Sequence, residues 1–245
     1  MRFKAKILIV CILSFLSSAA PAQKRVEASL SATLVSKFMW RGVEDGNAAI
    51  QPELNVAWRG FYINLWGSHG LMNNTGENWA VNELDVNIGW EYKGLTIGLG
   101  DEFITWGTSP PKYFYFKQGG NHVLEATVGY DWGFFAAQWY TNISGTPECY
   151  EDEKGRLRHA YASYLELSAP FRLGGLDWEA LVGIVPYNSH DWYEGANTFC
   201  VNQLSLKVSK DLSVSKSFQL PIFGHLVVNP VLNQVNFVLG LSFGI

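Results

Sequence analysis

Apolar and polar residues alternate with period two along almost the whole chain from Ala28 to Phe243. The clearest run is Ala48–Trp58, where Ile50, Pro52, Leu54, Val56 and Trp58 share one parity and Gln51, Glu53 and Asn55 the other. Val81–Tyr92 repeats it, with Leu84, Val86, Ile88, Trp90 and Tyr92 set against Glu83, Asp85, Asn87 and Glu91. Successive side chains of a strand point to opposite faces, so each run reads as a strand with one apolar and one polar face. Twelve strands are predicted: Ala28–Trp40, Ala48–Trp58, Phe61–Ser68, Val81–Tyr92, Leu95–Thr105, Asn121–Trp132, Phe134–Asn142, Arg158–Ala169, Leu176–Tyr187, Thr198–Ser209, Gln219–Asn229 and Val235–Phe243.

The connections alternate as well. Arg59-Gly60, Lys93-Gly94 and a turn at Gly133 are tight, and Pro170–Gly175 and Lys210–Phe218 are modest. The intervening connections, including His69–Ala80, Trp106–Gly120 and Ile143–Leu157, are mostly longer and more polar. Short turns at one end and long loops at the other, on an even number of strands, is the arrangement of bacterial outer-membrane barrels. A soluble sandwich has no reason to segregate its connections. The pattern predicts an all-β fold, a transmembrane antiparallel up-and-down β-barrel of about 12 strands.

Aromatic placement points the same way. Trp58, Phe61, Trp90, Tyr92, Tyr130, Trp132, Phe135, Trp178 and Phe243 fall on the outward parity near the short-turn ends. Phe38, Trp40, Phe103 and Tyr161 form a thinner set near the long loops. Such rings sit at membrane–water interfaces, whereas the core aromatics of a sandwich need not agree in both side and depth.

Composition sharpens the picture. Hydrophobic residues make up 48% of the 245 and charged residues 16%, below the roughly 25% charge of ordinary soluble domains. The net charge of −4 argues against a nucleic-acid partner. Arg2, Lys4 and Lys6 precede the apolar run Ile7–Leu16, and Ala20-Pro21-Ala22 supplies a small-x-small cleavage site. Residues 1–22 therefore read as a signal peptide and 23–245 as the barrel. The apolar run is too short for a membrane-spanning helix, which needs about 20 residues. Cys11 follows the bulky Val10 inside that run and reads as filler rather than a lipidation site.

Several short motifs carry a family resemblance. Phe38-Met39-Trp40-Arg41-Gly42-Val43, Ile50-Gln51-Pro52, Gly60-Phe61-Tyr62 and Trp66-Gly67-Ser68 resemble the opening hairpins of the TorF-type porin family. Glu83-Leu84-Asp85 with Gly89-Trp90 is similar to that family's Glu-Leu-Asp strand. Pro221-Ile222-Phe223-Gly224 and Phe237–Phe243 resemble its last two strands. The chain departs from the pattern at its end, Phe243-Gly244-Ile245, and at Cys149 and Cys200. The resemblance implies an outer-membrane channel and carries over no catalytic residues.

The inward parity gives a polar wall. Its charged members include Lys37, Arg41, Glu53, Glu83, Asp85, Glu102, Glu125, Glu166 and Lys207, read as pore-lining, with acids outnumbering bases. Barrels of about 8 strands fill with side chains and those of 16 or more hold wide channels. A twelve-stranded lumen predicts a narrow pore or one closed by an inward-folded loop. Acidic rings favour cations, although Lys37, Arg41 and Lys207 could instead neutralise the carboxylates. If Lys93-Gly94 is a two-residue hairpin turn, Asp85 lies directly opposite Glu102.

Other chemistry is weakly signalled. Gly240-Leu241-Ser242-Phe243-Gly244 matches the hydrolase elbow, but that motif needs a strand-to-helix turn and here sits in the last strand. His69, His122, His159 and His190 fall in or beside the long loops without ligand spacing, so no metal and no cofactor are expected. Ser144, His159 and Asp152 could be drawn as a rim triad, but their spacing does not select them. Cys149 and Cys200 lie in loops flanking strands eight and nine, so a bridge between them is expected in an exported protein. Two free thiols are the alternative. The sequence therefore predicts a non-enzymatic channel in outer-membrane lipid, passing small hydrophilic solutes with a weak cation preference. A closed-lumen barrel whose outer loops bind a ligand, and an outer-membrane hydrolase, are the competing readings.

Overall fold

Twelve strands close on themselves in the computed structural model, which describes residues 26–71, 82–105, 112–117, 119–215 and 218–245. The expected signal peptide lies outside the described residues. The wall strands are β1 (Glu27–Val35), β4 (Ala49–Trp58), β5 (Phe61–Gly70), β6 (Asn82–Tyr92), β7 (Leu95–Thr105), β8 (His122–Asp131), β9 (Ala136–Gly145), β12 (Ser163–Leu173), β13 (Leu176–Val185), β14 (Cys200–Ser213), β15 (Gln219–Asn229) and β16 (Gln234–Gly244). Two small hairpins interrupt the order, β2–β3 (Phe38–Trp40, Val43–Gly46) and β10–β11 (Cys149–Glu151, Leu157–His159). With those set aside, each wall strand pairs antiparallel with its neighbours in sequence, and β16 returns to β1.

Turn chemistry sets the register. Arg59 and Gly60 (φ 53° and 88°) and Lys93 and Gly94 (φ 50° and 88°) both occupy the left-handed region. This is the two-residue turn whose twist matches that of paired strands. Trp58 consequently faces Phe61, and Tyr92 faces Leu95. Two strands run further than their alternation suggested. β12 extends to Leu173, leaving only Gly174-Gly175 as the turn, and β14 extends to Ser213.

The outward parity is bare. Leu30, Ile63, Ile88, Ile97, Val128, Leu226, Phe237 and Leu239 are all exposed, several by half or more. Exposed apolar residues on strand after strand make an outer face that soluble monomers rarely present. At the short-turn end Trp90 stacks on Tyr92 at 5.4 Å and Tyr130 meets Trp132 at 4.8 Å. The expected girdle is therefore present there.

The closing seam is the shortest ladder in the wall. β1 and β16 share five paired positions, Ser31–Val35 with Gly240–Gly244, where the other wall ladders have six to eleven. A hydroxyl bridge between Thr33 and Ser242 at 2.9 Å reinforces it. Ser242, the serine of the elbow-like motif, is thus a buried wall residue.

Candidate functional site

The first long loop folds into the lumen. The sequence predicted a strand through Trp40, yet β1 ends at Val35 and the chain bends at Ser36-Lys37. Phe38–Trp40 then turns back on Val43–Gly46, because Arg41 and Gly42 (φ 46° and 84°) form the same left-handed turn as Arg59-Gly60. Lys37 and Arg41, expected on the wall, therefore belong to this hairpin loop. A Cβ on Gly42 would lie 2.5 Å from the Asn202 carbonyl oxygen, so the tip seats closely against β14. Asn202 donates to the Arg41 carbonyl at 2.9 Å and Asn229 to the Gly42 carbonyl at 3.1 Å. Lys37 ties the base of the loop to Asn236 at 2.7 Å and to Glu44 at 2.6 Å.

From that anchorage Arg41 reaches across the lumen. Its guanidinium donates to both oxygens of Glu125 on β8, at 2.5 and 2.7 Å, and to the Tyr193 hydroxyl at 2.8 Å. The Tyr140 ring lies 4.1 Å below the charge, a favourable cation–π placement. Tyr193 comes from a second inward loop between β13 and β14 and is fully buried. It stacks on Trp40 at 5.3 Å and leans on Tyr164 at 5.3 Å. Tyr164 in turn occupies the space over Gly183 and donates to Gln203 at 2.9 Å. Two loops and three wall strands thus meet at one cation.

Beside this latch stands an acid wall. Glu83 and Asp85 project from β6, Glu102 from β7 and Glu125 from β8. Asp85 is the direct cross-strand partner of Glu102, as the Lys93-Gly94 turn requires. Glu83 Oε2, Asp85 Oδ1 and Glu102 Oε2 are buried and accept no hydrogen bond among the described residues. Of the three cations expected to neutralise the wall, Arg41 alone meets it by hydrogen bond among the described residues. Lys37 pairs with Glu44 of its own loop, and Lys207 lies opposite Glu179 with its ammonium 4.5 Å from the Phe223 ring. Glu53 accepts from Asn64 at 2.7 Å, and Glu166 faces Gln138 and Gly183. Above the hairpin opens a cavity of about 400 Å³ whose lining includes Asp45, Glu83, Asp191, Glu194 and His190. Burial in the loop hairpin pushes the Asp45 carboxyl up to about 6.

The loop between β9 and β12 carries the small β10–β11 hairpin. Asp152 in its turn accepts from Arg156 and Arg158, and chiefly the Arg156 hydrogen bonds hold its carboxyl at about 2. It therefore faces arginines, while His159 contacts Glu148, and no rim triad with Ser144 is assembled. The expected Cys149–Cys200 bridge is not formed, and both thiols are free. Cys149 turns instead into its own hairpin, donating to the Gly145 carbonyl at 3.1 Å and lying 3.4 Å from His159 Nδ1.

No curated protein matches the chain, while 21 chains of solved structures do. A NanC porin in a rhombohedral crystal form aligns with a TM-score of 0.47 at 10% identity, over 88% of this chain and 98% of that one. Salmonella typhi OmpF in complex with daunomycin aligns at 0.35 and 8%, over 90% and 97%. At such scores the architecture rests on the strand ladders themselves. The model of a family of bacterial proteins of unknown function, Gcw_chp, matches residues 19–184. That match spans more than half of the chain, which belongs to the Gcw_chp family.

Proposed function

We propose that the protein is an outer-membrane channel of narrow bore for small hydrophilic solutes, weakly preferring cations and constricted at its long-loop end by the β2–β3 hairpin. The observation that carries this reading is the pairing of a bare apolar exterior with an interior whose acids outnumber the cations that reach them. An exposed apolar band girdled by aromatics has its natural solvent in lipid. The signal-peptide pattern read in residues 1–22 and the motifs resembling TorF-type porins support the same placement. Unpartnered carboxylate oxygens along a lumen attract cations and repel anions.

Reversal potentials across a salt gradient in planar bilayers test it. A modest cation preference is expected, reduced by Asp85→Asn combined with Glu102→Gln. An anion-selective wild type, or a double variant with unchanged selectivity, defeats the reading. The second reading, a closed lumen whose outer cavity binds a ligand, is favoured by one observation, the Arg41–Glu125 bridge spanning the bore. It predicts no conductance from the wild type and none from a variant that cannot form the bridge.

A further inference from the structure

The geometry points to a metal site in the β10–β11 hairpin, formed by Glu148, Cys149 and His159 and suited to a thiophilic divalent cation of the zinc class. Among the described residues these three bring a thiol sulfur, an imidazole nitrogen and a carboxylate oxygen within 4.8 Å of one another. The site uses none of the residues of the Arg41 latch or of the acid wall.

Local structure builds the trio. Cys149 and His159 are direct cross-strand partners in a two-stranded antiparallel hairpin, a relation that sets their Cβ atoms about 5 Å apart. Glu148 precedes the strand and its side chain is fully buried. The Tyr161 amide donates to its Oε2 at 2.9 Å, and the Ala160 amide donates to its carbonyl at 3.2 Å. Those bonds orient Oε1 toward the imidazole, as outer-shell partners orient a metal's ligands. The His159 side chain is 41% exposed, which leaves an entry path from solvent.

Two features select a metal over a catalytic relay. Cys149 Sγ and Glu148 Oε1 both approach the same ring nitrogen, Nδ1 of His159. A nucleophile–base–orienter relay needs its acid and its nucleophile on opposite nitrogens. Convergence on one point is instead what a shared ion requires. The Sγ···Nδ1 distance of 3.4 Å is close to the edge of about 3.5 Å that follows from tetrahedral Zn–S and Zn–N bonds of about 2.3 and 2.0 Å. Entry of the ion replaces the Glu148–His159 hydrogen bond, releases the Cys149 thiol proton to solvent and leaves a fourth position for water. The donor set of thiolate, imidazole and carboxylate suits zinc and disfavours magnesium or calcium, which take oxygen ligands.

Zinc titration of the full chain in detergent micelles, in competition with a chromophoric chelator, tests the site. One Zn²⁺ per chain is expected, with the thiolate-to-metal charge-transfer absorption appearing when Co²⁺ is used. Cys149→Ser is expected to weaken binding at least as much as the roughly 10- to 100-fold that outer-shell changes cost, with Glu148→Gln and His159→Asn in the same direction. A wild type that binds no stoichiometric Zn²⁺, or a Cys149→Ser variant that binds it equally well, overturns the inference. Should a variant fail to fold, alkylation of the wild type decides. Zn²⁺ is expected to protect Cys149 and not Cys200, with the protection abolished by EDTA; equal reactivity of Cys149 with and without Zn²⁺ refutes the site.

Discussion

Glu125→Gln removes the charge that Arg41 meets in the lumen and leaves the Asn202, Asn229 and Lys37 anchors of the hairpin in place. The pair is bidentate, at 2.5 and 2.7 Å, and its side chains are only 9% and 7% exposed. Deleting one partner of a buried ion pair costs about 3–5 kcal/mol, because the other charge stays desolvated. The amide oxygen still accepts one hydrogen bond, recovering about 1 kcal/mol, and the Tyr140 ring and Tyr193 hydroxyl remain. A net loss of about 2–4 kcal/mol shifts the ratio of seated to released hairpin by roughly 30- to 700-fold. Single-channel recordings are expected to show longer open times and a larger open level in the variant. Trypsin offers a readout that does not depend on conduction, since a released hairpin exposes the bonds after Lys37 and Arg41. Unchanged cleavage together with unchanged conductance would show that the bridge does not hold the hairpin.

Three further outcomes follow from the same geometry. Gly42→Ala, at φ 84° and against the Asn202 carbonyl, carries about 1–2 kcal/mol of left-handed strain plus the clash; it is expected to raise trypsin cleavage at Arg41 while the barrel's heat-modifiable gel migration stays as in the wild type. Asp45 has a carboxyl at about 6 in the seated hairpin and an ordinary value of about 3.9 when released, so seating is favoured as pH falls through 6 and opposed above it; conductance is expected to drop between pH 7 and 5, less so in Asp45→Asn, and a rise on acidification contradicts the assignment. An epitope inserted between Glu153 and Lys154, in the exposed turn of the β10–β11 hairpin, is expected to be labelled on intact cells, and labelling only at Gly94 would mean the barrel is inverted.

The wall was legible in the sequence because period two, short turns and aromatic depth all constrain it together. β7 spans Leu95–Thr105 as the alternation predicts, and the Asp85–Glu102 pairing follows from one dipeptide turn. Alternation does not say where a strand leaves the sheet, which is why Phe38–Trp40 reads as wall in the sequence. The signal was nevertheless present. Trp40-Arg41-Gly42 repeats Trp58-Arg59-Gly60, and both form the same turn, one inside the lumen and one at the rim. The Glu148–Cys149–His159 trio was not legible, because its members are brought together by a three-residue ladder in a loop without alternation of its own. Nor does parity tell which luminal cation crosses the bore. Arg41 reaches Glu125 because Asn202 and Asn229 hold the loop's backbone, a contact spanning more than 150 residues of sequence.

The five-position seam between β1 and β16 bears on how the molecule is made. Eleven of the twelve wall ladders join strands that follow one another along the chain, so they form by local loop closure with little loss of entropy. The last joins Thr33 to Ser242 across 209 residues, the single step of high contact order and hence the slow one. Assembly would pass through a curled, eleven-ladder sheet whose two free edges are the first and last strands. The shortness of the final ladder means that little of the finished wall's stability depends on the step that shuts it, and that the sheet would reopen along this line first when the barrel is unfolded from its ends.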